Sequence, residues 1–565
     1  MVAAGLAHAA SMAVPWSGEP VAWLQLLAMA VLVAQLALAT TPRQAAWLGW
    51  VFSTTWLCGT FWWLYISMHT YGGLNAVLTV VAIVALAGVL SGYYAVACYL
   101  FRRFVHVSIP LSAMLFASLW TMAEMARGTW FTGFGWGAAA YAHLSGLAVF
   151  AKYIGAYGVG ALAAFIACSV ALWLLALRPR PMGGSGWVGP AWQSVREARS
   201  WRSLAPVLLI GGLAAVADAE FSAPGAALKV VLLQGNIKQS EKFEPSTGIA
   251  DALRWYRQET HAAVATALAE APSGNPASNP GSGAAPLPVL VVAPETAIPL
   301  LPQQLPDGYW QEFAKPFQTG AATPDGAART MGQAALLIGI PLGSYQAGYT
   351  NSVLGVSNEP GSAAAGAAGP LAPYQYAKHH LVPFGEFIPP WFKWFTEMMN
   401  IPLGDFNRGA VGQASFAFAG QRLAPNICYE DLFGEELAAR FANPASAPTV
   451  FVNLSNIGWF GNTLAIDQHR AISRMRAMEF ERPFIRATNT GDTVVIDHTG
   501  QVVRALPRHT RGVLTAVVQG RGGSVQKGVG ITPYAVWAAN YGLWPVWIFC
   551  LSILVFVIYI NKKIK

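Results

Sequence analysis

The sequence predicts a multi-pass α-helical membrane bundle of about eight helices joined to an α/β layered domain. Two observations carry that expectation. Of the 565 residues, 54% are hydrophobic and only 11% charged, against roughly 25% charged in ordinary soluble domains. The apolarity is also uneven. Charge-free runs dominate to about residue 220, the stretch from about 228 to 530 reads as an ordinary α/β chain, and a last apolar run closes the sequence. These breaks divide the chain into 1–220, 221–532 and 533–565. The net charge of +8 does not point to nucleic acid, because the basic residues of the central part form no aromatic-interleaved patch.

A bilayer core needs about 20 apolar residues per helix. The spans that meet or approach this are Val21–Thr40, Ala45–Met68, Leu74–Leu100, Leu111–Met125, Leu147–Leu177, Leu204–Ala219 and Leu543–Ile560. Val2–Val14 is short for a crossing and lacks the basic leader of a cleaved signal peptide; counting it gives about eight helices. Arg43, the Arg102/Arg103 pair, the Arg178–Arg202 group and the Lys562/Lys563/Lys565 tail then fall on one side, which the positive-inside rule makes cytoplasmic. The central domain is expected on the opposite side. Glu124 and Arg127, spaced i,i+3 near a helix end, read as a charge pair at the interface rather than a head-group contact. Trp130–Trp136 reads as an interfacial aromatic belt rather than a lipid entrance.

In the central domain Lys229–Leu233, Val289–Ala293, Ala335–Ile340, Val450–Leu454 and Phe484–Thr488 read as strands. Thr493–Asp497 and Val513–Val518 read as hairpin strands, and Thr247–Glu270 and Leu464–Glu481 as helices. Two Ala/Gly/Ser/Pro-rich stretches, Pro272–Pro288 and Pro360–Pro373, read as surface insertions. Cysteine and histidine spacings fit no zinc site, glycines fit no phosphate loop, and Asp467 and His469 lack a third ligand. No metal or cofactor is expected.

Cys428 is the only cysteine outside the strongly apolar segments. It follows an apolar run that reads as a buried strand, in Asn426-Ile427-Cys428-Tyr429-Glu430. Glu295 ends a second such run, Val291-Val292-Ala293-Pro294-Glu295, and Lys378 opens Lys378-His379-His380-Leu381-Val382-Pro383-Phe384-Gly385-Glu386. A free thiol with a pKa near 8.5 is only a few per cent ionised at neutral pH. It needs a carboxylate to take its proton and a cation to steady thiolate and oxyanion. Glu295 is expected as base, Lys378 as oxyanion stabiliser and Cys428 as nucleophile. His379 and His380 are expected to pack or hydrogen-bond rather than act as bases.

These three segments resemble the Glu-Lys-Cys triad of the nitrilase superfamily, whose domain is an αββα sandwich. With the membrane bundle, Gln234-Gly235-Asn236-Ile237, Trp459-Phe460-Gly461 and the single closing helix, nearly the whole chain resembles the apolipoprotein N-acyltransferase family of Gram-negative bacteria. The His-Leu-Val-Pro-Phe-Gly-Glu run is the specific part; Pro-Glu alone is weak. The resemblance implies a multi-pass inner-membrane enzyme with its catalytic domain in the periplasm. An acyl chain would pass from a phospholipid, typically phosphatidylethanolamine, through a Cys428 thioester to the α-amino group of a diacylglyceryl-cysteine apolipoprotein. It also implies supporting roles for Glu386, Tyr429 and Glu430, a lipid-contacting or site-shaping Trp459, and action as a monomer. Two departures stand out: Phe243 where a mobile loop usually carries Trp, and Ile457 where an acidic residue is common.

The membrane part fits this chemistry. A chain of ~16 carbons gains ~0.8 kcal/mol per buried CH₂, so its escape into water costs roughly 12 kcal/mol. The site should therefore meet the bilayer, with loops near Phe243 or Trp391–Phe395 gating entry and the latter anchoring at the interface. Two other readings compete: a membrane-tethered amidase using water as acceptor, and a transporter or lipoprotein-binding scaffold with a vestigial enzyme domain.

Overall fold

The structure, a computed structural model, describes residues 1–106, 108–177, 201–217, 219–269, 287–317, 333–358, 374–388, 405–523 and 530–564. The expected insertion Pro360–Pro373, nearly all of Pro272–Pro288, the proposed anchor Trp391–Phe395 and the basic residues Arg178–Arg199 lie outside the described residues.

The first part is helical: α1 (Val2–Met12), α2 (Ala22–Leu38), α3 (Pro42–Phe61), α4 (Ala76–Phe104), α5 (Ile109–Thr129), α6 (Ala151–Leu177) and α7 (Ala205–Val216). Local chemistry sets several starts. Pro42 and Pro110 occupy first-turn positions, and the Asn75 side chain accepts from the Val77 and Leu78 amides, satisfying donors the helix leaves free. Among the described residues four helices are long and apolar enough to cross a membrane: Ala76–Phe104, Ile109–Thr132, Leu147–Leu177 and Trp544–Lys563.

Three of the four basic groups lie together. The Arg102 guanidinium donates to the Ala39 carbonyl at the α2–α3 junction (2.7 Å), and Asn561 donates to Phe104 O (2.7 Å). Arg43, Arg102/Arg103 and Lys562/Lys563 are thereby gathered at one end of the bundle.

Two expectations there need correction. Glu124 and Arg127 are both buried, and they are not an interfacial pair. Glu124 accepts from Trp120 Nε1 (3.2 Å) and the Ala139 amide (2.9 Å), while Arg127 donates to Tyr94 Oη and to the Phe134 and Trp136 carbonyls. A buried charge keeps its hydrogen bonds inside, and the irregular chain after α5 supplies them. The aromatic belt is likewise only half a belt. Phe131 is 92% exposed, but Trp136 is buried and donates to Gln468 Oε1 (2.8 Å).

The second part holds two six-stranded sheets. One has the order β12-β1-β2-β3-β4-β5, with β1 (Ala223–Gln234), β2 (Val289–Val292), β3 (Ala334–Ser344), β4 (Gly348–Ser357), β5 (Tyr374–Ala377) and β12 (Gly512–Gly522). The other runs β11-β10-β9-β8-β7-β6, with β6 (Phe416–Phe418), β7 (Gln421–Ile427), β8 (Val450–Ser455), β9 (Phe484–Thr488), β10 (Val494–Ile496) and β11 (Val502–Ala505). Strands β1, β2 and β3 are mutually parallel, as are β7, β8 and β9.

Strand alternation builds the layers. Leu228, Val230 and Leu232 meet Leu423, Val450, Val452 and Ile485 between the sheets, while Val231 and Leu233 face α8 (Ala250–Ala269) and α9 (Tyr309–Ala314). On the other side, α10 (Gly434–Ala438), α11 (Leu464–Phe480) and α12 (Pro533–Tyr541) cover Phe451 and Phe484. The result is the αββα arrangement of a nitrilase-like fold. The closing helix is α13 (Trp544–Ile564).

The two parts lock together through α11. Trp63 and Trp136 both donate to Gln468 Oε1, at 3.0 and 2.8 Å, and the Ala156 amide donates to Glu479 Oε1 at 2.5 Å.

Candidate active site

The carboxyl ends of parallel strands in the two sheets converge, and the site lies there, as open α/β sheets favour. Glu295 follows β2, Cys428 follows β7, Asn456 follows β8, and Lys378 follows β5. Cys428 has φ +54°, a left-handed conformation that non-glycine residues seldom adopt and that clusters at functional sites. The residue opens a short helical turn at the end of β7. Asn453 Nδ2 steadies it by donating to Cys428 O at 2.8 Å.

Glu295, Lys378 and Glu386 form one buried cluster. Lys378 Nζ lies 3.4 Å from Glu295 Oε1 and 2.8 Å from Glu386. Asn351 Nδ2, from β4, bridges both carboxylates at 2.7 Å each. The Asn456 amide donates to Glu295 Oε2 (2.9 Å) and the Val382 amide to Glu386 Oε2 (2.8 Å). Burial works against the Lys378 ammonium, yet Glu386 and Glu295 outweigh it and lift its pKa well above the usual lysine value. Lys378 therefore stays charged.

The thiol is different. Burial first, then the Glu295 charge, push the Cys428 thiol up to about 12 against the pull of Lys378 and the Ser455 hydroxyl. The resting sulfur carries its proton. It becomes a nucleophile only by handing that proton to a base in the same cluster, and Glu295 is in electrostatic contact with it.

The remaining expected residues find distinct places. Glu430 is buried and stitches two segments together, accepting from the Ile427 amide and Tyr376 hydroxyl (2.7 Å each) and from the His379 and His380 amides (2.7 and 3.2 Å). Burial raises its pKa, opposed by Lys378 and these donors. Tyr429 is buried, donates to Leu381 O at 3.1 Å and sets its ring 5.9 Å from Lys378 Nζ. His379 bonds Gly409 O, and His380 bonds Glu436 and Thr132 O. Asp467 pairs with Arg470 and Arg508, and His469 with Asp431. Trp459 is half-buried with its ring against Tyr71 of the helical part. Phe243 is half-buried in the turn before α8.

Sequence reasoning missed Asn351, Asn453, Ser455, Asn456 and Lys242. It also missed Gly339, whose lack of a side chain lets β3 pass behind the base. A Cβ there would lie 2.5 Å from Pro294 O, 2.6 Å from Thr296 N and 2.7 Å from Glu295 Cα. Gly339→Ala should therefore displace Glu295 and lower kcat by about 10²-fold, the loss expected of an ångström-scale misplacement. Single-turnover transfer assays on a variant that still melts cooperatively would measure this. Unchanged turnover would argue against Glu295 as the base.

The comparisons with known proteins agree with this geometry. Residues 5–169 match the apolipoprotein N-acyltransferase N-terminal domain, and residues 255–527 match the carbon-nitrogen hydrolase domain. The chain is 52% identical over 561 residues to an apolipoprotein N-acyltransferase of Verminephrobacter eiseniae, covering 96% of this chain and 92% of that one. It is 39% identical to one from Ralstonia nicotianae (89% and 84% covered) and 37% identical to one from Bordetella bronchiseptica (95% and 92% covered).

Proposed function

The chain belongs to the apolipoprotein N-acyltransferase family, and on that premise we propose that its transfer reaction runs through Cys428, with Glu295 as general base and Lys378 as oxyanion stabiliser. The chain is a membrane acyltransferase of lipoprotein biosynthesis. The observation that carries the residue assignment is the buried Glu295–Lys378–Glu386 cluster, 3.4 and 2.8 Å between charges, in electrostatic reach of a strained, protonated thiol.

In the first half-reaction Cys428 gives its proton to Glu295, and the thiolate attacks an ester carbonyl of the phospholipid donor. Lys378 steadies the tetrahedral oxyanion. The C–O bond breaks, Glu295 returns the proton to the departing lysophospholipid alkoxide, and a thioester remains. In the second, the neutral α-amine of the diacylglyceryl-cysteine attacks the thioester and yields a proton to Glu295. The C–S bond breaks and the thiolate is reprotonated. Glu386 and Asn351 hold Glu295 and Lys378 in register, Glu430 fixes the cysteine turn against the Lys378 loop, and Tyr429 packs against the ammonium. Trp459 and Phe243 are assigned to the lipid side of the site.

Phosphatidylethanolamine is the donor we assign, and a single chain the working unit, since Glu295, Lys378 and Cys428 with their supports all come from one polypeptide. We assign 1–220 with 533–565 to an eight-helix membrane part and 221–532 to a periplasmic catalytic domain in the inner membrane. The basic ends gathered beside Ala39, Phe104 and Asn561 support one cytoplasmic side.

Mass spectrometry of the whole chain after incubation with phosphatidylethanolamine vesicles tests the scheme. An acyl-mass adduct on the Cys428 peptide, discharged by a diacylglyceryl lipopeptide, is expected. An adduct elsewhere, or discharge by water alone, would overturn it.

A further inference from the structure

A second lysine belongs to this cluster. Lys242, in the turn that precedes α8, is 2% exposed, although its neighbours Glu241 and Glu244 face outward. Its ammonium donates to Thr296 Oγ1 at 2.5 Å and to the Glu295 carbonyl at 3.2 Å. Thr296 itself is left-handed, at φ +46°, so the lysine braces the strained residue next to the base. The same turn is tied to the base from its other side: Asn456 Nδ2 donates to Gln239 Oε1 (2.9 Å) while the Asn456 amide holds Glu295 Oε2 (2.9 Å).

We propose that Lys242 is a positioning residue for the acylation step: a second fixed cation within electrostatic reach of Cys428 that braces Glu295 and couples it to the turn carrying Phe243. The charge count explains why a second cation is required. Glu295 and Glu386 carry two negative charges and Lys378 one positive. With Lys378 alone, the cluster stands at −1, and it stays at −1 when the thiol's proton passes to Glu295. Lys242 brings the cluster to 0 throughout and sets a second positive charge near the thiolate, which lowers the barrier to forming it in a low-dielectric site. Glu430, the next carboxylate, is held by its own backbone and tyrosine donors, and Glu241 pairs outward with Lys238 at 3.0 Å.

The groups facing Lys242 also make its charge conditional. Burial pushes its pKa down to about 8, with Glu295 and Cys428 opposing the fall. The cation is present below that pH and lost above it. Acylation should stay level up to about pH 8, because the thiol's proton passes within the cluster, and bend downward there as Lys242 discharges.

This inference rests on the Cys428 assignment above, and the experiment separates the two. The rate of acyl-adduct formation on Cys428 is measured from pH 6 to 10 in the full-length parent, Lys242→Met and Lys242→Arg chains, using phosphatidylethanolamine vesicles, with melting followed in parallel. Lys242→Met should acylate at least about tenfold more slowly at pH 7, the effect of roughly one pH unit in thiol ionisation. Lys242→Arg should keep activity but lose the bend near pH 8, because guanidinium stays charged. If Lys242→Met does not fold, the Arg profile alone decides. An unchanged rate in folded Lys242→Met, or a bend that persists in Lys242→Arg, overturns the inference while leaving the triad standing. Absence of any adduct in the parent removes the triad and this inference together.

Discussion

Replacing Cys428 with serine should abolish acyl transfer while leaving the fold intact. The substitution exchanges one atom at a half-buried position, so packing changes little, and the φ of +54° is no harder for serine than for cysteine. The chemistry changes greatly. The site already holds the thiol up at about 12, and an alcohol in the same surroundings is far less acidic, so Glu295 has no acid it can deprotonate. Removal of a covalent nucleophile costs on the order of 10³-fold or more in kcat. The checks are lipopeptide acylation, the acyl adduct on the 428 peptide, and the melting transition. Loss of both chemical signals with an unchanged transition is the expected result. A serine variant that transfers within tenfold of the parent would overturn Cys428 as the nucleophile.

The triad could be read from the chain because each member sits in a short contiguous signal. Glu295 comes three residues after the fully buried strand β2, Cys428 directly follows β7, which is buried but for Arg422, and Lys378 opens an uninterrupted motif. Strands β1, β2, β3, β8 and β9 were equally legible, since near-continuous apolar runs mark parallel strands covered on both faces. What escaped notice was polar and local. Strand β4 begins Gly348-Tyr349-Thr350-Asn351-Ser352, with no apolar alternation to announce it, and so the carboxylate-bridging Asn351 was invisible. Lys242 stands in Lys238-Gln239-Ser240-Glu241-Lys242, a stretch that reads as solvated surface. Only the tertiary fold turns that ammonium inward, against a carbonyl more than fifty residues away in sequence.

Glu124 and Arg127 illustrate the opposite failure. Their i,i+3 spacing suggested a pair, but spacing says nothing about competing partners. The chain after α5 returns with free carbonyls at Phe134 and Trp136, and these capture the guanidinium. Helix number was also hard to fix from hydropathy. Of the described helices, α1, α2 and α7 are apolar but too short to count as crossings by length.

Replacing Lys378 with methionine should cost both activity and stability, and the two losses can be separated. Methionine fills most of the space, so the main change is electrostatic. Glu295 and Glu386 would face each other across Asn351 with no cation between them, both in a buried cluster. Removing one partner of a buried ion pair typically costs about 3–5 kcal/mol. The sign of the pH dependence follows from the same count. The folded variant relieves its like charges by taking up a proton that the unfolded chain does not need at neutral pH, so the variant gains stability relative to the parent as pH falls. Adding Glu386→Gln removes one of the two charges directly and should restore most of the lost stability at pH 7. Acylation should remain absent in the double variant, because the oxyanion still lacks its cation. Denaturant titrations at pH 5 and 7, run beside the acyl-adduct assay, read both quantities on the same proteins. If the double variant recovers transfer as well as stability, Lys378 only holds the carboxylates apart, and the oxyanion role falls to another donor.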